Sequence, residues 1–286
     1  MIKFTIKDFK KRFPNDDACL AELMKDRYGS VSICTDCNKE TTFHRVKNRR
    51  CYECQWCGFQ IHPTANTIFH KSRTPLTDWF YIMYLMTATR SGVSVKEVER
   101  QLGVTYKTAW RMCHQIRKAM SDNPTLKGEV ELDETYVGGR GGNNKRGRGA
   151  ENKTPVFGAV ERKGKLKARV VLNVKTKTIQ PIINETVEKG TKIMTDEYNI
   201  YNSVRKNGYS HEVIQHGIKE YVRGNVHTNN IEGFWSQLKR GIRGTHVSVS
   251  PKHLQNYVNE FAFRYNQRAE TIPMFDRLIR NLVKLS

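Results

Sequence analysis

Two Cys-x-x-Cys pairs, Cys34-Thr-Asp-Cys37 and Cys54-Gln-Trp-Cys57, constrain the N-terminal part of this 286-residue chain more than any other feature. Four thiolates at that spacing predict a tetrahedral zinc knuckle pair, a structural site that supplies folding energy a small module lacks. Cys51 competes for the second pair. Gly58 follows Cys57 and Asn38 follows Cys37, and both residue types accept the left-handed backbone of a knuckle turn. The reading therefore takes Cys34, Cys37, Cys54 and Cys57 as ligands, and Cys19, Cys51 and Cys113 as packed thiols. Between the knuckles, His44, Arg45, Lys47, Arg49 and Arg50 form a basic hairpin suited to phosphates, or simply to solvent.

Lys and Arg number 49 against 28 acids, a formal net charge of +21. That excess implies a polyanionic partner. With no basic amphipathic anchor in view, nucleic acid fits better than a membrane surface. No stretch reaches the ~20 apolar residues of a membrane span, and Met1 to Lys7 lacks a signal-peptide core, so a cytoplasmic location is expected.

Four segments follow. Residues 1–30 predict one or two short helices, with Phe9, Phe13, Leu20 and Leu23 packed and Asp16 or Asp17 as a cap. Residues 31–75 hold the ribbon. Residues 76–123 predict three helices: an apolar one over Leu76 to Ala88, one opened by a Ser94/Glu97 capping box and ended by Gly103, and a basic one from Thr105. Helix, glycine turn, basic helix is the helix-turn-helix pattern, which any small bundle also resembles. Lys107, Arg111, Arg117 and Lys118 are placed on its outer face.

Residues 124–286 predict a mixed α/β domain. Val130 and Leu132 alternate with polar residues in a half-buried strand that ends at Gly138-Gly139. It delivers Glu131, Asp133 and Glu134 to one place, where crowded carboxylates repel and favour a hard divalent cation. A charged edge strand is the plain alternative. Arg140, Lys145, Arg146 and Arg148 then form a glycine-rich basic loop able to order on a phosphate backbone. Pro155–Glu161 and Leu166–Val174 read as paired strands, Ile179–Val187 as a helix, and Lys192–Asp196 and His211–Gln215 as strands. Asp196 ends its strand, as a site residue or a helix cap. From His227, the stripe Ile231, Trp235, Leu238, Ile242 predicts a helix packed on the sheet. Glu232 borders that stripe. Lys239 lies two turns further on the same face, so that the acid suits a metal ligand and the lysine a phosphate contact.

These stretches together resemble the DDE transposases of bacterial insertion sequences, in the zinc-ribbon group with an ISXO-type domain. The matching residues are Leu132-Asp133-Glu134-Thr-Tyr-Val-Gly-Gly139, Thr195-Asp196-Glu197, His227-x-Asn229-x-x-Glu232 with Lys239, and Glu260 to Arg268, together with the cysteine ribbon. The resemblance runs from about Phe9 to Arg268. It implies an RNase H-like core, a catalytic triad of Asp133, Asp196 and Glu232 holding two Mg²⁺ or Mn²⁺ ions, and Lys239 on the phosphate backbone. DNA is the implied partner, as terminal inverted repeats and target. A homo-oligomer of at least two copies, at the bacterial nucleoid, is implied with it. Some members of the family carry Asn at the third acidic position, whereas this chain carries Glu. A repressor-like DNA-binding protein without strand transfer is the alternative function.

Overall fold

A computed structural model describes residues 4–29, 32–138, 153–215 and 227–284. The chain divides into two compact units, 1–119 with 270–286, and 120–269. No helix among the described residues is long and apolar enough to cross a membrane.

In the first unit, α1 (Ile6–Arg12) opens on a Thr5/Asp8 capping box and α2 (Asp16–Tyr28) on Asn15, whose side chain accepts from Ala18 N. Asn15 thus caps in place of the expected Asp16 or Asp17, and Asp16 is used elsewhere. Its carboxylate accepts from Thr77 N at 3.0 Å and lies 3.1 Å from the Arg50 guanidinium, tying α2 to the next helix and to the ribbon. The ribbon consists of β1 (Ser32–Ile33) with β2 (Glu40–Thr41), and β3 (Phe43–Arg45), β4 (Tyr52–Cys54) and β5 (Gln60–Ile61), all antiparallel. Helices α3 (Leu76–Ala88), α4 (Val95–Leu102) and α5 (Tyr106–Ala119) follow, and Gly103 turns between the last two at φ 65°. Ser94 accepts from Glu97 N at 3.0 Å, as the capping pattern predicts. Arg117 is not on the outer face of α5. It is 2% exposed and donates to the Val93 carbonyl at 3.1 Å.

The chain's last helix, α9 (Met274–Lys284), belongs to this first unit and not to the domain expected over 124–286. Phe275 explains why. Its ring meets Phe4 (5.0 Å), Phe13 (5.5 Å) and Phe80 (6.1 Å) in one aromatic cluster.

The second unit is built on five strands: β6 (Glu129–Gly138), β7 (Lys153–Glu161), β8 (Leu166–Val170), β9 (Lys192–Asp196) and β10 (Ser210–Ile214), in the order β10-β9-β6-β7-β8. Strands β6, β7 and β8 form an antiparallel meander. Helix α6 (Thr176–Thr186) then carries the chain back, so that β9 and β10 run parallel to β6. This is the mixed sheet of an RNase H-like domain. Val130, Leu132, Phe157 and Ile193 pack with α6 on one face. Val137, Val156 and Val160 pack on the other with α7 (Asn229–Gly241) and α8 (Pro251–Gln267), through Ile231, Trp235, Leu238, Leu254 and Val258. Two glycines permit this second layer. A Cβ at Gly158 would lie 2.6 Å from the Trp235 indole, and one at Gly241 would lie 2.1 Å from the Phe261 ring.

Because Phe275 is 1% exposed within an aromatic cluster, Phe275→Ala is expected to cost the first unit about 3–5 kcal/mol in chemical denaturation. A loss below about 1 kcal/mol would mean that α9 is not part of that core.

Candidate active site

The ladder between β6 and β9 runs from Glu129–Lys192 to Glu131–Met194. Carried on by two residues, the same register sets Asp133 abreast of Asp196, where β9 ends and β6 runs on to Gly138. Paired residues share a face, and alternation preserves it, so both acids take the α7 side. In open α/β sheets the crevice beyond the carboxyl ends of strands is the usual ligand site.

Alternation also separates the acids of β6. Glu131 and Asp133 face α7. Glu134 takes the opposite side and accepts from the Tyr201 hydroxyl at 2.9 Å. Alternation thus divides the three acids between the two faces of the sheet, although Asp133 and Glu134 both border the same cleft.

Glu131 is 0% exposed. Its Oε2 accepts from the backbone N–H groups of Asn230 (2.9 Å) and Ile231 (3.2 Å), at the start of α7. Its Oε1 accepts from Asn230 Nδ2 (2.8 Å) and Arg162 Nε (3.0 Å), and His227 Nδ1 lies 3.2 Å away. Arg162 also donates to the His227 carbonyl at 3.0 Å. Glu131 is therefore the anion at the positive end of this helix. Glu131 and Asn230 thus orient the start of the helix. Thr228, the N-cap residue, makes no side-chain cap. Its hydroxyl donates instead to Glu232 Oε1 at 2.9 Å. Glu232 itself is exposed at the first turn of α7.

Trp235, one turn further on, donates from Nε1 to Asp133 Oδ2 at 3.0 Å. The indole reaches that oxygen because Gly158, opposite Asp133 in the ladder, leaves room for it. Burial first, and then the charges of Glu134 and Asp196, push the Asp133 carboxyl up to about 8. A carboxyl so disfavoured as an anion suits a bound cation. Tyr201 feels burial and then the charges of Glu134, Asp133 and Asp196, which raise its phenol well above the ordinary range. Asp196 Oδ1 accepts from Tyr198 N at 3.1 Å, fixing the turn after β9.

Asp133, Glu134, Lys153, Lys239, Arg243 and Val247 line a cleft of about 720 Å³. Burial lowers the Lys239 ammonium. Asp133 opposes that shift, while Arg243 and Lys153 add to it. Beyond α7 the helix continues as a π-turn over Ile242–His246, and Val247 then sits at φ 65°, ψ −54°. Ser248 N donates to the His246 carbonyl at 2.7 Å, closing a strained three-residue γ-turn at the edge of the cleft.

Among the described residues, only Cys34, Cys37, Cys54 and Cys57 bring three or more metal-ligating atoms within 4.8 Å of one another. Asp133, Asp196 and Glu232 do not form such a group. The four sulfurs pair at 3.6 Å (Cys34–Cys57) and 3.8 Å (Cys37–Cys54). Asn38 (φ 56°) and Gly58 (φ 73°) both take the left-handed backbone expected of the knuckles. Burial raises the Cys54 thiol, but hydrogen bonds from Thr41 and from the Cys57 and Trp56 backbone outweigh it and bring the thiol down to about 6. The cluster suits a structural zinc ion. Cys51 stands apart, its buried sulfur directed at Gln60 Oε1.

The basic residues divide. Arg45 bonds Asp17 at 2.7 Å, and Arg50 donates to the carbonyls of Ser72 and Thr74, so both guanidinium groups brace the ribbon. Lys47, Arg49 and Lys107 are exposed. Arg111 stacks over Trp79 at 5.3 Å. Arg140, Lys145, Arg146 and Arg148 lie outside the described residues.

Residues 125–266 match the family model of the ISXO2-like transposase domain. A protein in transposable element ISH50 of Halobacterium salinarum is 29% identical over 277 residues, covering 89% of this chain and 92% of that protein. A transposase-like protein of Haemophilus influenzae is 29% identical over 115 residues, covering 40% of this chain and 90% of its own length.

Three outcomes follow from this geometry. Glu131→Ala deprives the half-buried Arg162 of its buried partner and leaves the start of α7 bare, at an expected cost of about 3–5 kcal/mol in denaturant titration. Without divalent metal, the Asp133 carboxyl keeps its proton in the fold to about pH 8, against the ordinary 3.8 of an aspartate. The folded state therefore binds more protons between those limits, and stability falls as pH rises through that window. Asp133→Asn removes the effect. It is expected to exceed the native chain in stability by about 1–3 kcal/mol at pH 8, with the gap closing towards pH 4. Finally, Cys54→Ser is expected to lose bound zinc in elemental analysis, whereas Cys51→Ser is expected to keep it.

Proposed function

Because the chain belongs to the insertion-sequence transposases with an ISXO2-like domain, we propose that it binds the terminal inverted repeats of its element and cuts and joins DNA at a DDE site of Asp133, Asp196 and Glu232. What supports this reading is the register of β6 and β9, which carried on by two residues brings Asp133 abreast of Asp196, with Glu232 on the helix whose start Glu131 caps. Asp133, Asp196 and Glu232 hold two Mg²⁺ or Mn²⁺ ions. When bound, such a pair supplies activation of the attacking oxygen and stabilisation of the leaving oxygen in phosphodiester cleavage and transfer.

The chain's own groups do the rest. Trp235 keeps one oxygen of Asp133 in a fixed hydrogen bond and so sets the direction of the other. Thr228 orients the Glu232 carboxylate. Lys239, half-buried at the cleft, contacts the phosphate backbone as a point charge. In the first unit, α4 and α5 act as a helix-turn-helix. Lys107 and Arg111, with Lys47 and Arg49 of the ribbon and the basic loop at 140–148, contribute phosphate and base contacts. Pairing two element ends requires at least two copies of the chain, working in the bacterial cytoplasm at the nucleoid.

The test is nicking of a labelled terminal-repeat duplex by purified protein with Mg²⁺ or Mn²⁺, followed by joining to a plasmid. Metal-dependent nicking is expected, reduced by about a thousandfold or more in Asp133→Ala. Nicking that survives that change sinks the acid assignment. Tight binding with no nicking at all would favour a repressor.

A further inference from the structure

Helix α7 separates two concavities. One is the cleft that contains Asp133. The other, about 560 Å³, is lined by Ser236, Lys239, Arg240, Arg243 and Gly244. Lys239 and Arg243 belong to both and form their common wall. Ser236, Arg240 and Gly244 are spaced four residues apart and share one side of the helix. They are exposed, as is Arg243. Among the described residues the outer groove is lined by three cations and no acid, the footprint of a phosphate backbone. The cleft, by contrast, brings a carboxyl group and cations together, as the reacting phosphodiester requires.

A hydrolase needs one DNA segment at its acids, but a strand transferase needs two, held apart and converging on one point. We propose that the outer groove on α7 binds the second segment, the target duplex, while the cleft holds the element end. The inference rests on the function proposed above. Lys239 and Arg243, on the shared wall, then touch both backbones, and Ser236 and Arg240 touch the target alone. Recognition of this kind is by phosphate and therefore independent of target sequence.

Gly244 allows a clean test. A Cβ there meets nothing within 4 Å, and its backbone is not in the left-handed region, so a side chain enters the groove without disturbing the fold. The full-length zinc-loaded protein is used without catalytic metal. Fluorescence anisotropy follows a labelled terminal-repeat duplex. Separately, it follows a labelled random-sequence duplex of about 30 base pairs, added to protein already saturated with unlabelled terminal repeat. Gly244→Glu is expected to weaken the random duplex roughly tenfold and leave the terminal repeat within about twofold. Gly244→Ala is expected to change neither. With Mg²⁺, Gly244→Glu should nick normally and join poorly.

Unchanged binding of the random duplex by Gly244→Glu overturns the proposal. So does a saturated native protein that takes up no random duplex. An equal loss for both duplexes also overturns it, since the groove would then hold part of the element end. Nicking that persists in Asp133→Ala contradicts the acid assignment and leaves these binding results standing, so the two failures are told apart.

Discussion

A carboxylate with no exposed surface, Glu131, holds the helix that carries Glu232 against the strand that carries Asp133. An isolated buried charge costs several kcal/mol. Here Arg162, the Asn230 side chain and two backbone N–H groups at the positive end of α7 offset that cost. The arrangement has a second effect. With the helix start capped from the sheet, Thr228 is released from capping and bonds to Glu232. One buried ion cluster thus fixes both the helix and the direction of an acid on it.

The rest of the site follows from how the sheet distributes side chains. Strand β6 sends Glu131 and Asp133 towards α7 and Glu134 towards Tyr201, so a run of three acids divides into a helix anchor, a candidate ligand and a partner for a buried phenol. Asp133 is held where burial and neighbouring negative charge work against its ionisation. Such a carboxyl costs the fold stability, which makes Asp133 a candidate functional group. In the zinc ribbon the opposite holds for Cys54, whose thiolate is favoured first by the Thr41 hydroxyl and then by the backbone of Cys57 and Trp56.

Much of this was legible in the order of residues. Cysteine spacing and the following Asn38 and Gly58 identified the knuckles. Period-two alternation found β6, and the stripe through Ile231, Trp235, Leu238 and Ile242 found α7 and its buried face. What was not legible depends on distant partners. Nothing near Trp235 in the sequence indicates that its indole reaches Asp133, because that contact requires Gly158 to lie opposite Asp133 in the ladder. Arg117 carries the charge of a surface residue, yet it is buried against the Val93 carbonyl. Helix α9 has the amphipathic pattern of any packed helix, and only Phe275 among the aromatic rings of the first unit reveals which core it joins. Exposure of Lys47 and engagement of Arg45, two residues apart, were likewise decided by the position of Asp17.

The central claim is that Asp133, Asp196 and Glu232 share divalent metal. Anomalous scattering from crystals of the native chain soaked in Mn²⁺ tests it most directly. The account predicts manganese bound by the carboxylates of all three residues, with the zinc signal confined to the four cysteines. Manganese bound elsewhere, or at Asp133 with Glu134 in place of Asp196 and Glu232, would contradict it.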